Sequence, residues 1–342
     1  MLTAGGDCPG LNAVIRAATR RLIEHGHEPI GLRRGYQGLA EPSMRVELDA
    51  HAVTGILQEG GTILSTSSFD PWMEPEGVDR VRAAQESDPL DALIAIGGEH
   101  TMWITSRIHT ELGLPVVGVP KTIDNDVVGT DYTFGFDTAV QAATDAIDRL
   151  RTTAQSHDRI MVVEVMGRNV GWIATFAGLA GGADGIVIPE LELTVEEMCE
   201  AIARRHARGK HFSIIVVSEG AKLAFASGET KTIRASDVRD EYGYERLGGI
   251  GAALGQELEQ RTGYDVRVTT LGHIQRGGTP TAYDRVLATR YGIQAAQMVI
   301  DGGYGRMASL KGTEMTSVPL EEVDGVKTVD TKYLELARTF FY

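Results

Sequence analysis

Residues 114–131, LPVVGVPKTIDNDVVGTD, constrain this chain more than any other stretch. Residues 115–119 are an apolar, valine-rich run, the composition of a strand buried on both faces of a parallel sheet. The run stops at Pro120, and Lys121, Thr122, Asp124, Asn125 and Asp126 come directly after it. In open α/β sheets the ligand crevice lies beyond the carboxyl ends of the strands, which is where these residues fall. Two carboxylates separated by one residue can divide labour: one accepts a proton from a substrate hydroxyl while the other orients a second hydroxyl. Taken alone, the same residues also fit an Asx-rich turn whose side chains cap backbone amides.

Strand-like and helix-like segments alternate along the rest of the chain. Helical spacing of apolar residues predicts helices over 11–24, 75–86, 101–112, 136–153, 172–180, 194–208, 250–261 and 284–300. Apolar runs predict strands over 92–96, 115–119, 160–165, 185–188, 212–218 and 266–271. Thr194 with Glu197 three residues on reads as a capping box. Residues 224–244 are polar and irregular, a loop or a short hairpin. This βαβα order predicts an α/β protein with parallel sheets covered by helices on both faces. The opening Met1-Leu2-Thr3 leaves little room for a first strand, so the true start is expected upstream, with Met1 replacing an internal apolar residue.

Composition narrows the function classes. At 342 residues the chain is long enough for two domains. Lys and Arg total 33 against 47 for Asp and Glu, a net charge of −14, so no sequence-wide basic field exists to draw nucleic acid or membrane. Phosphate binding must then rest on local arginines. The two cysteines, Cys8 and Cys199, support neither a disulfide framework nor a cysteine-rich metal site. With no long apolar run and no signal peptide, a cytoplasmic protein is expected.

Four further clusters carry chemistry. In the turn Ala4-Gly5-Gly6-Asp7-Cys8-Pro9-Gly10, glycines let backbone amides approach an anion at a helix N-terminus. An ordinary tight turn uses the same residues, and neither a Walker loop nor a G-x-G-x-x-G dinucleotide fingerprint is present. The turn Gly97-Gly98-Glu99-His100-Thr101 offers close phosphate approach, with Glu99 able to hold Mg²⁺ and Thr101 able to cap the next helix. Arg159 and the run Glu164–Arg168 form the third cluster; Arg267, His273 and Arg276 form the fourth. A lone surface arginine is usually a solvated charge. Four of them at strand ends or in glycine turns read as bidentate clamps for a phosphorylated substrate.

The segments GGDCPGLNAVIR, GGEHT, PKTIDNDVVGTDYTFGFDTA, VVEVMGR, SEGAK and LGHIQRGGTPTAYDRVLATR resemble, in order, the motifs of the 6-phosphofructokinase family. The likeness runs from Thr3 to about Tyr342. It is strongest to the actinobacterial branch that holds both ATP- and pyrophosphate-dependent members. The resemblance implies two doubly wound parallel-sheet lobes with the active site in the cleft between them. A phosphoryl-donor lobe would take residues 1–134 plus about 275–325, and a fructose 6-phosphate lobe about 135–274 plus 326–342. It implies Mg²⁺-dependent transfer of a phosphoryl group from ATP or pyrophosphate to the C1 hydroxyl of fructose 6-phosphate, giving fructose 1,6-bisphosphate. Alternatives are another acceptor, such as sedoheptulose 7-phosphate, and a sugar-phosphate-binding regulatory paralogue.

Carried over by residue, the resemblance makes Asp124 the base, flanked by Thr122 and Asp126, with Arg168 in the catalytic set. Met166, Gly167, Arg168 and Glu219 would hold the sugar. Arg159, Arg267, His273 and Arg276 would bind its 6-phosphate, partly across subunits of a homodimer or homotetramer. Gly5, Gly6, Tyr36, Gly97, Gly98, Glu99, His100, Thr101 and Lys121 would line the donor site, with Glu99 near Mg²⁺. Three departures stand out. Ser68 replaces an arginine that reaches the moving phosphate, Ser65 replaces a common glycine, and His100 replaces the glycine of ATP users or the aspartate of pyrophosphate users.

Overall fold

The computed structural model describes residues 1–236 and 246–339. In chain order the first elements are β1 (Leu2–Thr3), α1 (Leu11–Glu24), β2 (Ile30–Leu32), α2 (Tyr36–Ala40), β3 (Arg45–Glu47), α3 (Gly77–Ser87), β4 (Leu93–Gly97), α4 (Glu99–Leu112) and β5 (Val116–Pro120). Then come α5 (Phe136–His157), β6 (Ile160–Val165), α6 (Trp172–Ala180), β7 (Gly185–Val187), α7 (Val195–Ala207), β8 (Ser213–Ser218), β9 (Lys222–Ala224) and β10 (Thr230–Thr232). The last are β11 (Arg234–Ser236), β12 (Arg246–Leu247), α8 (Ile250–Thr262), β13 (Val266–Thr270), α9 (Ala282–Ile300), β14 (Arg306–Lys311), β15 (Glu314–Pro319) and α10 (Thr331–Arg338). The chain folds as two compact units: Met1–Thr138 with Arg276–Val326, and Ala139–Gln275 with Lys327–Tyr342.

The first unit holds a seven-stranded sheet in the order β15-β14-β5-β4-β1-β2-β3. Its central strands are parallel, as the apolar runs predict. Both edges are antiparallel, β3 against β2 and β15 against β14, which the alternation of segments does not foresee. Strands β4 and β5 are buried along their whole length, so both faces must be covered, and β-branched side chains fill that role. The register decides where the strands stop. Thr3 lies opposite Ile96 and Ile96 opposite Val119, so β1, β4 and β5 end level with one another. Leu2, Leu32, Leu93, Val116, Met102 and Met307 meet in one core beside them.

The second unit is built on a four-stranded, wholly parallel sheet, β13-β6-β8-β7. Ile160, Val162, Ile215, Val217, Leu254 and Leu258 form its core. The capping box at α7 is present: the Thr194 hydroxyl accepts from the Glu197 amide at 3.2 Å, and the Glu197 carboxylate accepts from the Thr194 amide at 2.8 Å. Of the segment read as loop or hairpin, β9 and β10 pair antiparallel, as do β11 and β12; residues 237–245 lie outside the described residues. No helix among the described residues is long and apolar enough to cross a membrane.

Candidate active site

Because β1, β4 and β5 end level, the turns after them leave one edge of the first unit's sheet together. Gly5 takes φ 74°, a left-handed conformation that glycine adopts at no steric cost. A Cβ at Gly5 would lie 3.6 Å from Lys121 Nζ and 3.8 Å from Thr101 Oγ1, so all three turns converge there. Lys121 is 4% exposed and its ammonium donates to the Gly6 carbonyl. Burial lowers its pKa below the usual lysine value, since the charged form loses water. Helix α4 starts at Glu99, two residues earlier than the apolar spacing suggests, so Glu99 and His100 occupy its first turn beside Gly97 and Gly98.

The turn after β5 is braced from within. The Asp124 amide donates to the Thr122 hydroxyl at 3.0 Å. Asn125 sits at φ 52°, and its side-chain oxygen accepts from the Thr133 amide at 3.0 Å. The amide-capping reading of this turn is therefore real for Thr122 and Asn125. Asp124 itself is 5% exposed at the centre of the turn, and Asp126 is half-buried. A carboxylate in that position is the group that could take a proton from a hydroxyl delivered to this sheet edge.

Tyr36 and Arg276, expected at the donor and sugar-phosphate sites respectively, both make contacts within this unit. Tyr36 is 1% exposed, and its hydroxyl lies 2.8 Å from both the Thr101 carbonyl and Thr105 Oγ1. It braces the first turns of α4 through these two contacts. Arg276, grouped by resemblance with the sugar-phosphate residues, packs against the first glycine turn: a Cβ at Gly6 would lie 2.9 Å from its Nη1, and it donates to the Asp7 carbonyl at 3.4 Å. Its guanidinium and the Lys121 ammonium thus both reach carbonyls of the first glycine turn.

The departures noted in the sequence have physical explanations. Ser65 has φ 58°, so the chain needs here the left-handed conformation that a glycine supplies more cheaply. Ser68 is exposed. His100 is not free to swing, because its Nε2 lies 3.1 Å from Asp70 Oδ2 and its ring stacks on Trp103. Burial alone would raise the Asp70 carboxyl; the bonds from His100 and the Trp72 amide outweigh it and hold the carboxyl below its usual value. Asp70, Trp72 and Trp103 were not singled out from sequence. The available signal was His100, Trp103 and Arg107 at helical spacing on one face of α4.

In the second unit the expected sugar residues separate into two groups. Met166, Gly167 and Arg168 follow the carboxyl end of β6. Arg168 takes φ 52° and its amide donates to Glu219 Oε1 at 3.2 Å, so these residues form one small constellation. Arg159 and Arg267 lie at the opposite, amino-terminal edge, one just before β6 and the other at the start of β13. Both pair with Asp265. Six residues of strand separate the two edges, on the order of 20 Å. One copy of this unit therefore holds Met166, Arg168 and Glu219 at one edge of the sheet and Arg159 and Arg267 at the other. His273 is exposed after β13.

A family model described as Phosphofructokinase matches residues 1–299. The chain is 52% identical over 344 residues to the pyrophosphate–fructose 6-phosphate 1-phosphotransferase of Amycolatopsis methanolica, covering 100% of this chain and 98% of that protein. It is 50% identical over 338 residues to ATP-dependent 6-phosphofructokinase 3 of Streptomyces coelicolor, covering 98% and 97%. Among solved structures, phosphofructokinase from Saccharomyces cerevisiae aligns with a TM-score of 0.81 at 31% identity, over 99% of this chain and 44% of that longer one. A pyrophosphate-dependent phosphofructokinase from Nitrosospira multiformis shares the fold, with a TM-score of 0.83 at 17% identity over 99% and 89% of the two chains. With a family model running from residue 1 to 299 and relatives about half identical along the whole chain, this protein belongs to the phosphofructokinase family.

Proposed function

We propose that this chain is a 6-phosphofructokinase that moves a phosphoryl group from ATP or pyrophosphate to the C1 hydroxyl of fructose 6-phosphate. The observation that carries the reading is the level ending of β1, β4 and β5. It gathers two glycine turns, the Lys121 ammonium and the Asp124 carboxylate at one sheet edge. Phosphoryl transfer asks for little more than positioning and charge neutralisation, and these groups supply both. Asp124 takes the proton from the attacking hydroxyl, with Thr122 and Asp126 beside it. Gly5, Gly6, Gly97, Gly98 and Thr101 receive the donor, and Lys121 with Arg276 neutralises its charge. Met166, Gly167, Arg168 and Glu219 hold the sugar.

The residues present suit Mg²⁺. This ion is usually held by one or two carboxylates, with substrate phosphates and water completing its octahedron. Glu99, in the first turn of α4, offers such a carboxylate next to the glycine turn. Mg²⁺ bound there would screen the charge that builds on the transferring group. The substrates are charged and water-soluble, and on that ground we place the enzyme in the cytoplasm.

Arg159 and Arg267 serve the site of a neighbouring copy. Their edge carries two arginines on one aspartate, with Val268 exposed on the same edge strand. That combination suits a homodimer or homotetramer contact that also presents cations to a phosphate. The central test is initial rates with ATP and with pyrophosphate for wild type and Asp124→Asn. The amide is nearly isosteric but cannot accept the proton, so turnover should fall about a hundredfold to ten-thousandfold while fructose 6-phosphate still binds. A variant keeping more than about a third of wild-type kcat would remove Asp124 as the base. Absence of turnover with either donor in wild type would favour the regulatory paralogue.

A further inference from the structure

The segment 65–72 is fastened to both glycine turns of the donor edge. At one end the Thr66 hydroxyl donates to the Gly5 carbonyl at 2.7 Å, and the Ser67 hydroxyl donates to the Arg34 carbonyl at 2.6 Å. At the other, Asp70 Oδ2 lies 3.1 Å from His100 Nε2. Behind that contact stands a stacked ladder. The His100 ring lies on Trp103 with centroids 5.5 Å apart and planes 15° apart. Trp72 meets Trp103 edge-on at 6.5 Å. The Arg107 guanidinium lies 4.2 Å from the Trp72 ring and 4.9 Å from that of Trp103. Glu111 closes the ladder, accepting from Arg107 Nε at 2.6 Å and from the Trp72 indole at 3.1 Å.

His100, Trp103, Arg107 and Glu111 recur at helical spacing on one face of α4, so the helix presents them as a row. The segment 65–72 adds Asp70 against His100 and Trp72 against Trp103, Arg107 and Glu111. A histidine in the first turn of an isolated helix would sample several rotamers. Here a buried carboxylate from a distant part of the chain bonds its Nε2 and a flat indole lies beneath the ring, so one rotamer is favoured. The two departures at His100 and in the 65–72 segment are thus one physical unit.

We propose that this segment is a strap that selects the phosphoryl donor, with Asp70 and Trp103 as positioning residues for His100. The inference rests on the reading that the two glycine turns receive the donor. A ring held by a hydrogen bond and a stack forms a wall next to the phosphates. It admits a compact inorganic diphosphate and crowds a donor that continues into a nucleoside. Loosening the ring, without removing it, should therefore relax the preference.

The test compares kcat/KM for ATP and for pyrophosphate in wild type, Asp70→Ala, Asp70→Asn, His100→Gly and the double variant Asp70→Ala/His100→Gly. Asp70→Ala should shift the ratio toward ATP by about tenfold, in the same direction as His100→Gly. KM for fructose 6-phosphate should stay within about twofold, because Asp70 bonds His100 and the Trp72 amide and neither of these belongs to the residues proposed to hold the sugar. Asp70→Asn keeps an oxygen for the imidazole N–H and should hold the ratio near wild type, which separates positioning from general damage. Once His100 is gone, Asp70→Ala should add nothing to the ratio. An unchanged ratio in Asp70→Ala, or additive shifts in the double variant, would overturn the proposal. Calorimetric titration of both donors reads the same preference without turnover. A catalytically silent wild type would defeat the kinase reading while leaving the strap to stand or fall on donor affinity.

Discussion

The side-chain oxygen of Asn125 accepts two hydrogen bonds from Thr133, at 3.0 Å from its amide and 3.3 Å from its hydroxyl. Thr133 is fully buried, and its hydroxyl also lies 2.9 Å from the Thr122 carbonyl. One asparagine and one threonine therefore fix the ends of the turn that carries Asp124. Asn125→Ala strands the Thr133 amide, at a cost of about 1–3 kcal/mol. It also puts alanine at φ 52°, which adds roughly 1 kcal/mol. A lower urea midpoint is expected, with kcat down on the order of a hundredfold as Asp124 loses its aim. Asn125→Asp retains the acceptor and should recover most of the stability. Equal midpoints for the Ala and Asp variants would show that the Thr133 bonds do not hold this turn.

A second turn depends on one missing side chain. A Cβ at Gly220 would lie 1.6 Å from the Arg168 carbonyl oxygen, which no rotamer change can relieve because both partners are backbone. Gly220→Ala must push apart the Arg168 turn and the Glu219 carboxylate that receives its amide. The expected result is a KM for fructose 6-phosphate raised at least about tenfold, with the donor KM little altered, since the damage stays in the second unit. Equal changes in both KM values would mean that the effect is global unfolding and not loss of the sugar constellation.

Asp284 gives a pH dependence whose sign can be worked out. It is fully buried at the start of α9, where its Oδ2 accepts from the Thr138 amide at 2.8 Å and hydroxyl at 2.6 Å. Burial pushes its pKa up to about 6 from 3.8, against the pull of those bonds. The folded state thus holds a proton that the unfolded chain has released. This group's contribution is greatest below pH ~4, declines as pH rises through ~6 and is level above that, a swing of roughly 3 kcal/mol. Asp284→Asn keeps an acceptor for Thr138 and does not titrate. The advantage of the variant in thermal unfolding should therefore grow between about pH 4 and about pH 7. A difference in Tm that stays constant with pH would rule out the raised carboxyl.

Much of this architecture is legible in the sequence because the strands that matter are apolar and end abruptly. Leu11–Glu24, Ile160–Val165 and Trp172–Ala180 fall where the spacing puts them, the two helices each preceded by a glycine and the strand by Arg159. Strands β2 and β3 escape because three residues are too few to show a period. The hairpin β14–β15 carried a readable sign, a two-residue Gly312-Thr313 loop between paired strands, that helix-centred reading passes over. The site divides in the same way. Asp124 and Lys121 are visible as polar residues ending a buried strand. The pairing of Asp70 with His100 is not, because 30 residues separate them and no local pattern joins them. The position of Arg159 before β6 was also visible, and it already places that side chain on the edge away from Arg168.

That placement leads to a test of assembly. If Arg159 and Arg267 act in a neighbour's site, Asp124 and Arg267 of one functional site come from different chains. Asp124→Asn should be nearly inactive alone for want of a base, and Arg267→Ala nearly inactive at fructose 6-phosphate well below the wild-type KM, for want of a phosphate clamp worth on the order of 2–3 kcal/mol. Denatured together in equal amounts and refolded, they form mixed assemblies. In a mixed dimer one site receives both damaged residues and the other neither. Random pairing then makes about a quarter of all sites intact, so about a quarter of wild-type kcat should return. Activity should rise with time after mixing as subunits exchange, and kcat and KM of the recovered fraction should match wild type. If Arg267 served its own chain's site, every site in the mixture would carry one lesion and no activity would return. Full recovery of folding and assembly, checked by sedimentation, without recovery of turnover would place Arg267 in the chain's own site.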